Sequence, residues 1–355
     1  MQKRSLQFLK DLMATIAPSG FEQEAAAVWR EEAARFAQRV WADNHGNSFA
    51  ALNEQGKPLV MFAGHVDEIG LMVTYIDDKG YLSFATIGGY DPQILPGQRV
   101  RVRTQKGTIL GVIGRKAVHL LKEEDRKTVV KIEDLWIDIG ARDKQEAQSL
   151  VEIGDCAVID SGFAELRNDL LVARGFDDRI GAFVVLEALR LLADKDPKAA
   201  VVAVATVQEE VGLRGAQTST FGLDPAIGIA VDVTHVTDTP GMDDEKKKIG
   251  EAAMGKGPVI ARGANIHPKL FRMLTNVAAA QQIPYQIEPA PGETGTDANV
   301  IQLTRAGVAT ALVSVPNRYM HSPCEVVNTE DLKRCAALIA AATERIDERL
   351  TLIPE

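Results

Sequence analysis

The chain has 355 residues, of which 46% are hydrophobic and 25% charged; this is ordinary soluble usage and excludes disordered and collagen-like classes. Its length predicts two domains, or one large α/β domain with an insertion, because single cores stop growing at about 250 to 300 residues. With 49 acidic against 40 basic side chains the net charge is −9, which argues against nucleic acid as a partner and favours neutral or cationic ligands.

Leu6, Leu9, Leu12, Met13 and Ile16 recur at helical spacing, and the polar residues between them interrupt the apolar core that a signal peptide needs. An amphipathic first helix and no export are expected. No apolar run reaches the roughly 18 residues that cross a bilayer, so no membrane-spanning segment is expected. Cys156, Cys324 and Cys335 are odd in number and far apart, which suggests a reducing, cytoplasmic setting. After the Pro18-Ser19-Gly20 break a second helix is predicted over 22–38. Residues 40–52 read as extended, with a turn at Asn44-His45-Gly46-Asn47, and PLVMFAG at 58–64 reads as a buried strand.

From about residue 70 to 162 the texture changes to short alternating segments punctuated by glycine, the pattern of a β-rich unit. From 170 onward the α/β rhythm returns. Helices are predicted over 178–193, 267–282 and 328 to about 350, and strands over 201–207, 227–233 and 310–315. DDEKKK at 243–248 reads as a solvated loop. The expected fold is α/β, a doubly wound, mostly parallel sheet with helices on both faces, formed by residues 1–69 and 165–355. A β-rich domain over 70–164 is inserted in it.

Five segments place a possible metal ligand where a strand ends or a helix begins. His65 and Asp67 follow PLVMFAG, Asp177 precedes a helix, Glu209 and Glu210 end VVAVATVQ, Asp232 ends IGIAV, and His321 follows ALVSVP. Taken singly, each has a blander reading: an aspartate before a helix is usually an N-cap, a lone histidine a surface residue, and paired glutamates a solvated strand end. Ligands of open α/β sheets bind outside the carboxyl ends of the strands, so the recurrence predicts one crevice. Two imidazoles and several carboxylates suit zinc, cobalt or manganese, and a pair of ions sharing one carboxylate would use them all. Gly-x-Ser-x-Gly is absent, nothing marks Cys324 as an activated thiolate, and no glycine loop has phosphate-binding spacing.

Taken together, GHVDEIG at 64–70, GFDDR at 175–179, QEEVGLRGA at 208–216, VDVTH at 231–235, GTDAN at 295–299 and RYMHSP at 318–323 carry a resemblance. They resemble the dinuclear metallo-aminopeptidases of the tetrahedral (TET) type, which include glutamyl aminopeptidases and proteins once labelled cellulase M. The resemblance implies two divalent metal ions. His65 would hold one ion with Asp232, Glu210 and His321 the other, Asp177 would bridge them with its carboxylate, and the peptide bond between Asp177 and Asp178 would be cis. Asp67 would hold the His65 ring, and Glu209 would be the general base.

It further implies short peptides as substrates, a PDZ-like dimerisation module over 70–164, and a homo-oligomer in which dimers build a dodecamer. Because adjacent strand residues face opposite ways, Glu209 and Glu210 can share a site only if their strand ends before them. Hydrolysis of an N-blocked or non-peptide amide at the same centre is the alternative. A glycoside hydrolase, which needs two carboxyl groups and has no use for His65 and His321, is set aside.

Overall fold

The computed structural model describes residues 1–354. Two amphipathic helices open the chain, α1 (Lys3–Ala14) and α2 (Gln23–Ala33), and bury Phe8, Leu9, Leu12 and Trp29. The second stops short of residue 38 because the Gln38 N–H is already committed to the Ala51 carbonyl of the next hairpin. That hairpin pairs β1 (Arg39–Ala42) with β2 (Ser48–Leu52), and its turn is held by Asp43, whose carboxylate accepts the N–H groups of His45, Gly46 and Asn47. β3 (Leu59–His65) follows, buried at six of its seven residues.

The glycine-punctuated stretch forms β4 (Gly70–Ile76), β5 (Leu82–Ile87), β6 (Arg99–Thr104), β7 (Gly107–Arg115) and β8 (Leu135–Asp138), then the short α3 (Lys144–Leu150) and β9 (Cys156–Ile159). These six strands close into a barrel in the order β4-β5-β8-β7-β6-β9, which leaves no free edge. Leu71, Val73, Leu82, Val100, Val102, Ile113 and Ile137 fill it as a core separate from the main one.

The chain then runs through β10 (Ala164–Glu165), β11 (Leu170–Ala173), α4 (Phe176–Ala193), β12 (Ala200–Thr206), α5 (Arg214–Leu223) and β13 (Ile227–His235). It continues with α6 (Lys246–Ile249), β14 (Val259–Gly263), α7 (Pro268–Ala280), β15 (Gln286–Ala290) and α8 (Ala298–Ile301), and finishes with β16 (Ala309–Asn317), β17 (Glu325–Asn328) and α9 (Thr329–Thr343). The DDEKKK segment, expected as loop, contributes the single turn α6. A small sheet, β10-β11-β17, was not foreseen because its strands have only two to four residues.

The main sheet has eight strands in the order β1-β2-β12-β3-β13-β16-β14-β15. Its centre, β12-β3-β13-β16, is parallel as expected, whereas β2 and β14 run antiparallel to their inner neighbours, so the sheet as a whole is mixed. The β1–β2 turn is too short for a crossover, which forces antiparallel pairing at that edge. Both faces are covered by helices, and β3 shows how. A Cβ on Gly64 would lie 2.4 Å from the Gly181 carbonyl carbon, so glycine lets α4 pack directly on the sheet. Met61, of opposite parity, instead meets the Thr220 hydroxyl of α5. Among the described residues no helix is long and apolar enough to cross a membrane.

Candidate active site

Because the four central strands are parallel, their carboxyl ends open on one side of the sheet. β3 ends at His65, and the next N–H, from Val66, donates to Thr206 at 2.9 Å, which keeps β3 and β12 in register to their last residues. β12 ends at Thr206 and Gln208 takes a left-handed φ of 56°, so strand alternation lapses and both Glu209 and Glu210 line the same cavity of about 290 Å³. Asp232 lies within β13, opposite Ser314 of β16; the strand continues to His235 instead of ending near residue 233. His321 occupies the turn after β16, and Asp177 sits in the first turn of α4, where φ −72° and ψ 111° interrupt the helix. The Asp177–Asp178 peptide is cis.

One carboxylate spans two imidazoles. Asp177 Oδ1 lies 3.3 Å from His65 Nε2, and its Oδ2 lies 3.1 Å from His321 Nε2. Glu210 Oε2 is 3.4 Å from the same His321 nitrogen, and Glu209 Oε2 is 3.7 Å from His65 Nε2. Asp67 stands on the other edge of the His65 ring, 3.4 Å from Nδ1. Its oxygens also accept from Ser19 Oγ at 2.6 Å and from the N–H groups of Glu209 and Glu210 at 3.1 and 3.2 Å. A single fully buried carboxylate therefore orients the imidazole and both glutamate backbones.

The electrostatics are those of crowded, buried acids. Burial, with Asp232 and Asp297 nearby, pushes the Glu209 carboxyl up to about 10 despite His65. Burial likewise raises Asp232 and Glu210. Asp177 goes the other way: burial opposes its charge, but hydrogen bonds from His321 and His65 hold it well below the usual carboxylate range. The same hydrogen bond to Asp177, with one to Glu210, pushes His321 up to about 11. Burial opposes charge on His65, and Glu209, Asp177 and Asp67 outweigh it.

This donor set fits metal ions. His65, Asp177 and Glu210 offer ligand atoms all within 4.8 Å of one another, as do His65, Asp178 and Asp232, and Glu210 Oε1 is buried with no hydrogen-bond partner. Imidazole nitrogen and carboxylate oxygen suit zinc, cobalt or manganese. Asp178 is the less available carboxylate, since its oxygens already accept the His65 N–H at 3.2 Å and the Gly181 N–H at 3.0 Å.

Residues 46–338 match the family described as M42 glutamyl aminopeptidase. The chain belongs to that family. It is accordingly an aminopeptidase, a hydrolase acting on peptides. It is similar to the lysyl aminopeptidase of Pyrococcus furiosus, 40% identical over 312 residues, which covers 87% of this chain and 88% of that protein. Among solved structures, a TET aminopeptidase from a marine sediment archaeon of the Thaumarchaeota superposes with a TM-score of 0.92 at 37% identity, over 98% of both chains. The TET1 peptidase of Pyrococcus horikoshii, which can assemble into a tetrahedron or a large octahedral shell, superposes with a TM-score of 0.86 at 34% identity, over 96% of this chain and 100% of that one.

All seven side chains expected to converge in this M42 aminopeptidase do so: six gather around the cavity, and Asp67 stands directly behind His65. Several neighbours had no foreseen role. Glu325 is buried and accepts the N–H groups of Asp177 at 2.8 Å and His321 at 3.0 Å; its place four residues after His321 was the signal within the sequence. Asp297, in the GTDAN motif, accepts from the Thr206 hydroxyl at 2.6 Å and keeps one buried oxygen free of any partner. Glu68 pairs with Arg174 and Arg179 beneath the site, all three buried.

Proposed function

We propose that this chain removes the N-terminal residue from short peptides at a centre of two divalent cations, zinc or cobalt in the first instance and manganese as a third choice. His65 and Asp232 would hold one ion, Glu210 and His321 the other, with Asp177 shared. The observation that carries the reading is Asp177, whose two oxygens face the imidazoles of His65 and His321. When bound, such a pair of ions neutralises the crowded acids, acidifies water and polarises the scissile carbonyl.

The protein's own residues do the rest. Glu209, returned to its ionised form, takes a proton from the attacking water and delivers it to the leaving amine. Asp67 fixes the His65 ring through Nδ1 and leaves Nε2 turned to the cluster, and so acts as a positioning residue. The alternative, hydrolysis of an N-blocked or non-peptide amide, would use the same groups.

The same proposal divides the chain into a catalytic part, 1–69 with 165–355, and an inserted, PDZ-like dimerisation part, 70–164. Leu110, Val112, Val118, Leu120 and Val129, all exposed on the barrel or its long loop, support an association face there. The shells described for the Pyrococcus horikoshii peptidase support dimers that build a tetrahedral dodecamer. The unpaired thiols of Cys156, Cys324 and Cys335 support a cytoplasmic setting.

The test is hydrolysis of aminoacyl-p-nitroanilides and short peptides by chelator-stripped protein, with each metal added back. Restored release of single N-terminal residues is expected. Activity on N-blocked amides alone would select the alternative, and activity indifferent to chelation would refute the metal centre. On a sizing column the native protein should elute as a dodecamer and Leu110→Arg as a smaller species.

A further inference from the structure

The cavity beside the metal-ligand cluster contains one acid that none of the chemistry above uses. Glu288 lies on the edge strand β15, opposite Ala261 of β14, and its side chain lines the same cavity as His65, Asp177, Glu209, Glu210 and Asp232. It is half-buried, the Thr234 side chain lies within electrostatic reach of its carboxylate, and among the described residues it has no ion-pair partner. A carboxylate in that position is partly desolvated with no opposite charge of its own, and a cation from outside would supply one.

The imidazoles of His65 and His321 in the walls are engaged by Asp177. No lysine or arginine lines the cavity, and desolvation lowers His235 from its ordinary imidazole value. Asp232 and Thr234 are two residues apart on β13, so their side chains leave the strand on one face with Cα atoms about 7 Å apart. Glu288, which lines the same cavity and interacts with Thr234, stands one step along it from the cluster, a span that an extended lysine or arginine stem bridges. The buried Leu312 and half-buried Met320 line the cavity as well and offer apolar surface to the methylenes of such a stem.

We propose that Glu288 is a specificity-determining residue that selects a cationic side chain, lysine or arginine, on the N-terminal residue of the substrate. The inference rests on the aminopeptidase reading for the nature of the substrate and on Glu288 for its charge. The scissile bond lies at the cluster, the substrate side chain lies along the cavity toward β15, and the ammonium or guanidinium group pairs with the Glu288 carboxylate.

Two measurements on the metal-loaded protein test it. In the first, kcat/KM is determined for lysyl, arginyl, leucyl and glutamyl p-nitroanilides with the native protein, Glu288→Gln and Glu288→Lys. The native enzyme should prefer lysyl and arginyl over leucyl substrate at least tenfold. Glu288→Gln should lower the lysyl-to-leucyl ratio by tenfold or more, chiefly through KM, and Glu288→Lys should turn the preference toward glutamyl substrate. A native preference for leucyl or glutamyl substrate, or a Glu288→Gln variant with an unchanged ratio, would overturn the proposal.

In the second, calorimetry compares binding of L-lysine with that of L-norleucine, which has the same stem without the ammonium group. Tighter binding of lysine in the native protein, lost in Glu288→Gln, is expected, and equal binding overturns the proposal. Selective binding of lysine by a protein that hydrolyses none of the aminoacyl substrates would leave the cation site standing and reject the aminopeptidase reading instead.

Discussion

The carboxylate of Glu325 accepts the backbone N–H of Asp177 at 2.8 Å, and with its other oxygen it accepts the N–H of His321 at 3.0 Å. Two residues 144 positions apart in the chain, His321 and Asp177, whose side chains meet at 3.1 Å, are thus also locked together through a third, fully buried one. Substituting it therefore moves two proposed ligands at once.

Glu325→Ala leaves both N–H groups without acceptors and is expected to weaken divalent-metal binding by roughly 10- to 100-fold, the usual cost of losing a partner that orients ligands. Competition titration with a chromophoric chelator measures this directly. Native metal affinity in a folded Glu325→Ala protein would show that the backbone of the cluster holds its shape without this carboxylate.

Glu209→Gln removes the proposed base and keeps the ligand set. Bound metal should stay at the native level while kcat falls by about two to four orders of magnitude, the range that positioned proton transfer supplies. Elemental analysis and steady-state kinetics on the same preparation decide it. A parallel loss of metal and activity would make Glu209 a ligand.

Glu22 provides a test of pH dependence. Burial, reinforced by the negative Asp67, pushes its carboxyl up to about 7, although the N–H groups of Gly20 and Gln208 donate to it. A raised folded-state value means that the native state binds this proton more tightly than the unfolded one. The associated stability is fully present below about pH 4.5 and disappears as pH rises through 7, a loss on the order of 3 kcal/mol. Glu22→Gln keeps the accepting oxygen and cannot ionise, so its chemical denaturation midpoint should change less between pH 5 and 8. Parallel curves for the two proteins would contradict the assignment.

Gly64 is predicted to tolerate no side chain. The Cβ of Gly64→Ala would lie 2.4 to 2.7 Å from backbone atoms of Gly181 and Ala182, so α4 must lift from β3, one residue before His65. Overpacking of this kind costs about 1 to 3 kcal/mol, and more where backbone is struck. The variant should show a lowered Tm together with weakened metal binding. A native Tm would mean that the helix shifts without cost.

Much of the scaffold was legible in the chain itself. The apolar run before His65, the 3.6-residue stripe of α1 and the alternation of the barrel strands each reflect burial of one face, and burial is written in local periodicity. The proposed ligands were legible for a related reason: His65, Asp67, Glu209 and Glu210 follow at once on apolar strands, and parallel strands bring their carboxyl ends together. Even the requirement that β12 stop before Glu209 followed from side-chain alternation, and β12 does stop at Thr206.

What only the tertiary structure decided was which polar groups answer one another. Glu325 beneath Asp177 and His321, Asp178 turned to the His65 and Gly181 N–H groups, and Glu288 across from Thr234 have no periodicity, since each joins residues distant in the chain. The antiparallel turn of β14 and the sheet formed by β10, β11 and β17 escaped for the same cause: short strands exist because partners reach them. Hydrophobic burial is a property of a residue and its near neighbours along the chain, and sequence carries it. The pairing of buried charges is a property of the assembled fold, because desolvated groups are satisfied only by partners that folding brings into reach.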